Sequence, residues 1–274
     1  MQANQEFLKQ DKRFWSLIRS VSEKSGYTDR KTKTVKAHDE NSIFKALRDL
    51  NLNPDEVFSS SAPFTLKATL AYFQYRADIL NEYVRPNLMD KDQAESLYNE
   101  LYQRLSPTCP LPMNKQKKEK SGKAFFTCII NMLIEEALAG KSCDYDPRNL
   151  TTVTSNGIPL RTLARRVDGA YPATINPKAI WEIKEYYYTT TFGSRVAGGI
   201  YETLLDGMEL EELHEHENVE VKHYLMVDDY FTWWGCGRSY LCRIIDMLHM
   251  GYIDEAFFGR EVVERLPQVV KSWL

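Results

Sequence analysis

Apolar residues recur every three or four positions through the first hundred residues, the period of helices with one buried face. Phe7, Leu8, Phe14, Trp15, Leu17, Ile18 and Val21 form the first such stripe, and Gly26 is a natural stop. A basic, Thr-rich loop spans 27–36. A helix is expected over 43–50, capped by Asn41 or Ser42, with Asn53-Pro54 as punctuation after it. Longer helices are expected over 65–84, ending at Arg85-Pro86, and over 90–105, ending at Ser106-Pro107. Pro107, Pro110 and Pro112 then fall within seven residues, a run that continues neither a helix nor an inner strand, so 106–112 reads as a linker.

Beyond the linker the pattern changes. Residues 124–139 are apolar on most sides, as in a buried helix. A loop over 141–159 leads to two strand-like runs, 165–169 and 179–187, separated by the turn residues Pro172, Asn176 and Pro177. Gly193-Ser194-Arg195 opens a helix to about 206, with Ser194 as its cap, and an acidic solvated run follows over 209–220. A strand over 221–227, a helix over 238–250 and a closing helix over 260–273 complete the chain. This order predicts a helical domain at 1–110 and an α/β (α+β) domain at 111–274.

A chain of 274 residues with 43% apolar and 27% charged side chains is long enough for one large or two smaller folded domains. Its net charge of −3 is unevenly placed: residues 1–124 carry 21 basic and 16 acidic side chains, and 125–274 carry 14 and 22. Five cysteines without a CxxC pair support neither a zinc knuckle nor a redox motif and suit a reducing interior. With no apolar leader core and no apolar run of about 18 residues, a cytoplasmic location away from membranes is expected.

The chemistry concentrates in the two strand runs. Alternation places Glu182 and Lys184 on one face and Trp181 and Ile183 on the other. Charges on a strand that borders a core need partners there; Asp168 on the neighbouring strand supplies one and a divalent cation another. Asp168 followed by Glu182-x-Lys184 resembles the signature of the PD-(D/E)XK nuclease superfamily, which includes many type II restriction endonucleases.

The resemblance implies a restriction-endonuclease-like αβββαβ core, its first strand over 150–154 or 159–163. It implies Mg²⁺, replaceable by Mn²⁺, held by Asp168, Glu182 and the Ile183 carbonyl, with Lys184 orienting or activating the attacking water. The substrate it implies is DNA, most often double-stranded, in restriction or antiviral defence; the competing class is a non-catalytic DNA-binding or scaffold subunit. Two departures stand out: Val167 replaces the proline, and 124–127 lacks the carboxylate many members carry early in the first core helix. Either two carboxylates suffice, or Glu135 or Glu136 reaches in.

Lys118, Lys120 and Lys123 before the buried helix and Arg195 at a helix start are candidate phosphate contacts. Lysines near a helix N-terminus and Glu135 and Glu136 near its C-terminus oppose the helix dipole, as though ligands supplied the missing charge. The helical domain is expected to contact nucleic acid, a second copy or a partner protein. His214-Glu215-His216-Glu217 reads as solvated rather than metal-binding. Ser121-Gly122-Lys123-Ala124 lacks the glycine and hydroxyl of a P-loop. Trp233 and Trp234 are expected in a core.

Overall fold

Polar caps start the helices of the N-terminal region where apolar stripes begin. Asp11 caps helix Lys12–Ser25 and Thr65 caps helix Leu66–Asp78. The cap of Glu40–Arg48 is Asp39, whose side chain accepts from the Ser42 amide; Asn41 and Ser42 lie inside the helix. In the computed structural model, which describes residues 1–114, 122–190 and 192–274, the mixed α/β chain divides into two units. One joins Ala3–Pro86 to Gly237–Gly251; the other joins Met1–Gln2, Asn87–Cys236 and Tyr252–Leu274. The boundary expected at 110 thus falls inside the larger unit. The helix expected over 238–250, Arg238–His249, belongs to the smaller one.

The smaller unit is helical around Phe14, Ile18, Val21, Ile43, Leu47, Tyr72 and Phe73. Its basic loop contains a minimal hairpin, Thr28–Asp29 with Thr34–Val35. The 65–84 helix does not run through: Leu66–Asp78 gives way to a π-helical turn, Ile79–Val84. Arg76, fully buried, pairs with Asp246 at 3.0 Å and donates to Ser22, which ties the returning segment into this unit.

In the larger unit, helix Lys91–Leu105 starts with an Asp90–Gln93 capping box. The four-stranded sheet runs in the order Gly169–Tyr171, Ala179–Glu185, Lys222–Asp228, Glu255–Phe258. Its first pair is antiparallel and the others parallel. Trp181 and Ile183 face a core built with helices Phe125–Leu138 and Val262–Lys271, where Trp181 stacks on Trp273 at 5.6 Å. Gly169 is required beside that indole, because a Cβ there would lie 2.0 Å from the ring. The opposite face, marked by Ile180, is covered by Leu210 and Leu213 of helix Ser194–Glu217. That helix includes most of the acidic run expected to be loop.

The expected first core strand is not in the sheet. Thr152–Ser155 and Ile158–Thr162 form a separate hairpin, and among the described residues Asp144 alone bridges antiparallel to Ala170. Trp233 and Trp234 are buried as expected. No helix among the described residues is long and apolar enough to cross a membrane.

Candidate active site

Asp168 immediately precedes strand Gly169–Tyr171. The antiparallel register Gly169↔Trp181, continued by one step, sets it across from Glu182. Cross-strand neighbours share a face, and Lys184, two positions on, shares it too. Chain-local alternation therefore brings Asp168, Glu182 and Lys184 together. The edge strand pairs only with Ala179–Trp181, so from Glu182 onward the inner strand has an open flank. There the Ile183 amide donates to Asp168 Oδ2 at 2.8 Å. A strand residue's N–H and C=O point to the same side, so the Ile183 carbonyl faces that flank as well.

Lys184 Nζ lies 2.7 Å from Glu182 Oε2 and 3.6 Å from Glu202 Oε2. Arg165 Nη1 bridges Asp206 Oδ2 at 2.6 Å and Glu182 Oε1 at 2.8 Å, and its Nη2 lies 3.4 Å from Glu202. Gly199 lets helix Ser194–Glu217 pass close to this strand end: a Cβ there would sit 3.1 Å from the Tyr186 hydroxyl and 3.4 Å from the lysine Cδ. Arg165, Glu202 and Asp206 were not among the residues expected from sequence. Arg165 stands in the motif stretch itself, and Glu202 and Asp206 carry the i, i+4 spacing of a shared helix face.

Four carboxylates thus meet two cations. Glu182 is fully buried; burial alone would penalise its charge, but Lys184 and Arg165 outweigh that and lower its pKa. Asp206 shows the opposite balance: burial and the nearby Glu182 charge raise it to about 7 against the pull of Arg165. Asp168 keeps one edge open to solvent while surrounding protein strips water from the rest. That desolvation and Glu182 raise it to about 6, with Lys184 opposing. Lys184, although desolvated, is held protonated by Glu182 and Asp168, its pKa raised.

The open flank leads into a cleft of about 230 Å³, lined by Asp168, Ile183, Glu185, Arg195, Thr127 and Asn131 among others. Arg195 is exposed at its mouth. Lys123 is tied back, its ammonium 3.3 Å from the Leu111 carbonyl, and Lys118 and Lys120 lie outside the described residues. Glu185 supplies the anion that the start of helix Phe125–Leu138 lacks, accepting from the Thr127 amide at 3.0 Å and its hydroxyl at 2.9 Å. Burial nonetheless raises Glu185 to about 7, against the hydrogen bonds from Thr127. Glu135 is engaged elsewhere, by the Thr108 amide and hydroxyl.

These donors fit a hard divalent cation. The acceptors are all oxygen, the carboxylates outnumber the cations by two charges when ionised, and Glu182 Oε1 is buried without a hydrogen bond of good geometry despite Arg165 nearby. Among the described residues no group of three or more His, Cys, Asp or Glu side chains is arranged to hold a metal ion, so protein side chains alone would supply at most two ligands here. Mg²⁺ commonly keeps several waters and needs only one or two carboxylates.

No curated protein and no solved structure matches the chain. Residues 1–83 match the family described as Domain of unknown function (DUF7690), close to the first segment of the smaller unit. Residues 89–273, which include every residue of the site, match Domain of unknown function (DUF7687), and the chain belongs to that family.

Proposed function

We propose that the protein is a divalent-metal-dependent nuclease with a restriction-endonuclease-like core that hydrolyses phosphodiester bonds in DNA. The observation that carries this reading is the convergence of Asp168, Glu182 and Lys184 on one face, with Asp168 at an open strand flank that leads into a cleft and Glu182 and Lys184 buried behind it. Helix Phe125–Leu138, the Asp144 bridge, strands Gly169–Tyr171 and Ala179–Glu185, helix Ser194–Glu217 and strand Lys222–Asp228 support the αβββαβ order, with its first strand reduced to one bridge. DNA as substrate and defence as setting come from the sequence resemblance.

Asp168, Glu182 and the Ile183 carbonyl would hold Mg²⁺ or Mn²⁺. When bound, the ion supplies Lewis acidity toward a phosphoryl oxygen and acidifies a coordinated water. The chain's own part follows from its charges. Because Lys184 is held protonated, it acts as a donor that orients water and balances phosphate charge, not as a proton acceptor. Arg165 keeps Glu182 ionised and fixed, and Arg195 at the mouth meets the next phosphate. Plasmid cleavage with Mg²⁺ or Mn²⁺ by the native protein, and its loss in Asp168→Ala, is the expected result; cleavage by both proteins or by neither rejects the reading.

One observation favours a second reading. Both oxygens of Glu182 are already paired with cations, as in an architectural ion-pair network. A non-catalytic DNA-binding or scaffold subunit would bind DNA without metal and cleave nothing.

A further inference from the structure

Asn131, on helix Phe125–Leu138, is 1% exposed and lines the cleft. Its Nδ2 donates to the Pro110 carbonyl at 2.8 Å. A carbonyl only accepts, so this bond fixes the amide's orientation. Oδ1 is thereby an obligate acceptor, and it is buried with no partner among the described residues. A buried acceptor left unpaired is costly, which makes it a sign of a missing donor.

The rest of the cleft defines what carries that donor. Pro110, Pro112, Met113 and Tyr145 give apolar and flat surfaces. Asp146, paired with Arg148 at 2.7 Å, and Glu185, which accepts from Thr127, add carboxylate oxygens, and Arg195 is a cation among the described lining residues. At about 230 Å³ the cleft is below the roughly 300–1,000 Å³ of drug-sized sites, room for one ring system and not for a duplex. Asp168 and Ile183 line the same space, so a ring held here lies beside the proposed site of hydrolysis.

We propose that this cleft receives a single unpaired nucleobase bearing an amino group, cytosine or adenine, adjacent to the phosphate to be cut. This rests on the nuclease reading and narrows its substrate to single-stranded DNA or a nucleotide extruded from duplex. The amino group of cytosine or adenine donates to Asn131 Oδ1. Thymine and uracil at C4, and guanine at C6, place a carbonyl at that position, acceptor against acceptor.

The test uses the full chain and fluorescein-labelled deoxycytidine and deoxyuridine hexamers, which differ at each base at C4, amino against carbonyl, and at N3, acceptor against N–H donor. Anisotropy titrations are run with Ca²⁺ in place of Mg²⁺. Deoxycytidine hexamers are expected to bind at least about tenfold tighter, the factor carried by about 1.4 kcal/mol. Asn131→Leu is expected to remove that preference. Should Asn131→Leu fail to fold, Asp146→Asn, on the exposed rim, is expected to narrow it by replacing one acceptor oxygen with an amide donor. Equal affinity for the two hexamers, or a preference untouched by the folded variants, overturns the base pocket. If plasmid is still cleaved in an Asp168-dependent way, only the pocket falls; if no hexamer binds and nothing is cleaved, both readings fall.

Discussion

Lys184→Met removes one charge from the site while keeping most of the side-chain stem that Gly199 packs against. The lysine is 5% exposed and Glu182 0%, so solvent screens their 2.7 Å pair little. Deleting one member of such a pair costs about 3–5 kcal/mol, because the survivor is left buried and under-compensated. Arg165, 2.8 Å from the other Glu182 oxygen, still compensates in part, which places the loss near 3 kcal/mol. Urea unfolding at pH 8 in EDTA measures it. Without Lys184, the desolvated Glu182 titrates higher. A folded pKa above the unfolded value means stability is lost as pH rises, so the gap to the native protein is largest at pH 8 and closes toward pH 4. A divalent cation replaces the missing charge: at 100 times Kd it returns about 2.7 kcal/mol. Activity with Mg²⁺ nevertheless falls about 10²–10⁴-fold, because the donor to water is gone. A loss under about 1 kcal/mol, a gap that widens in acid, or undiminished cleavage would refute the reasoning.

Asp206→Asn reads the site's carboxylate excess through pH. Asp206 has a folded pKa of about 7 against about 4 unfolded, so its contribution is complete below pH 4 and is lost as pH rises through about 7. In EDTA the variant should therefore gain on the native protein between pH 4 and 7 in urea midpoints; a constant difference would count against it. Arg195→Ala, at an exposed position, should change stability by no more than about 0.5 kcal/mol. It should also reduce the log–log salt slope of duplex binding by about 0.9, and an unchanged slope would remove Arg195 from the DNA contacts.

The most legible part of the molecule was its local periodicity. Alternation alone put Glu182 and Lys184 on one face with Trp181 opposite, and Pro172, Asn176 and Pro177 marked the turn that brings Asp168 alongside. The helices expected from 65 and 90 start there, capped by Thr65 and Asp90, whereas the caps expected at Asn41 or Ser42 and at Ser194 are taken by Asp39 and Gly193. Contacts made across the chain left no such trace. Nothing near Arg238–His249 signals that Asp246 pairs with Arg76, so the discontinuous smaller unit was not foreseen. Nothing within 150–163 distinguishes a core strand from a separate hairpin, since both satisfy the same propensities. The acidic run after Glu209 looked solvated because its charges dominate, yet Leu210 and Leu213 give it a buried stripe.

Glu185 shows how a sound local inference was completed by a distant residue. Lysines at the start of a helix and acids at its end oppose the dipole, and the missing negative charge was assigned to a phosphate. The orphan amides are instead answered within the fold, by a carboxylate 58 residues away that accepts from Thr127. The misfit is real, but its remedy lies on the same strand as Glu182 and Lys184, one position past the lysine. The odd-numbered positions of that strand also matter. Ile183 and Glu185 reach the cleft from the flank that the short edge strand leaves open, so the strand that presents Glu182 and Lys184 to one face shapes the cleft with the other. An edge strand extended past Gly169 would close that flank. Its three-residue length leaves Asp168 open to that cleft, while the ion-pair network meets solvent separately, through the half-exposed Glu202.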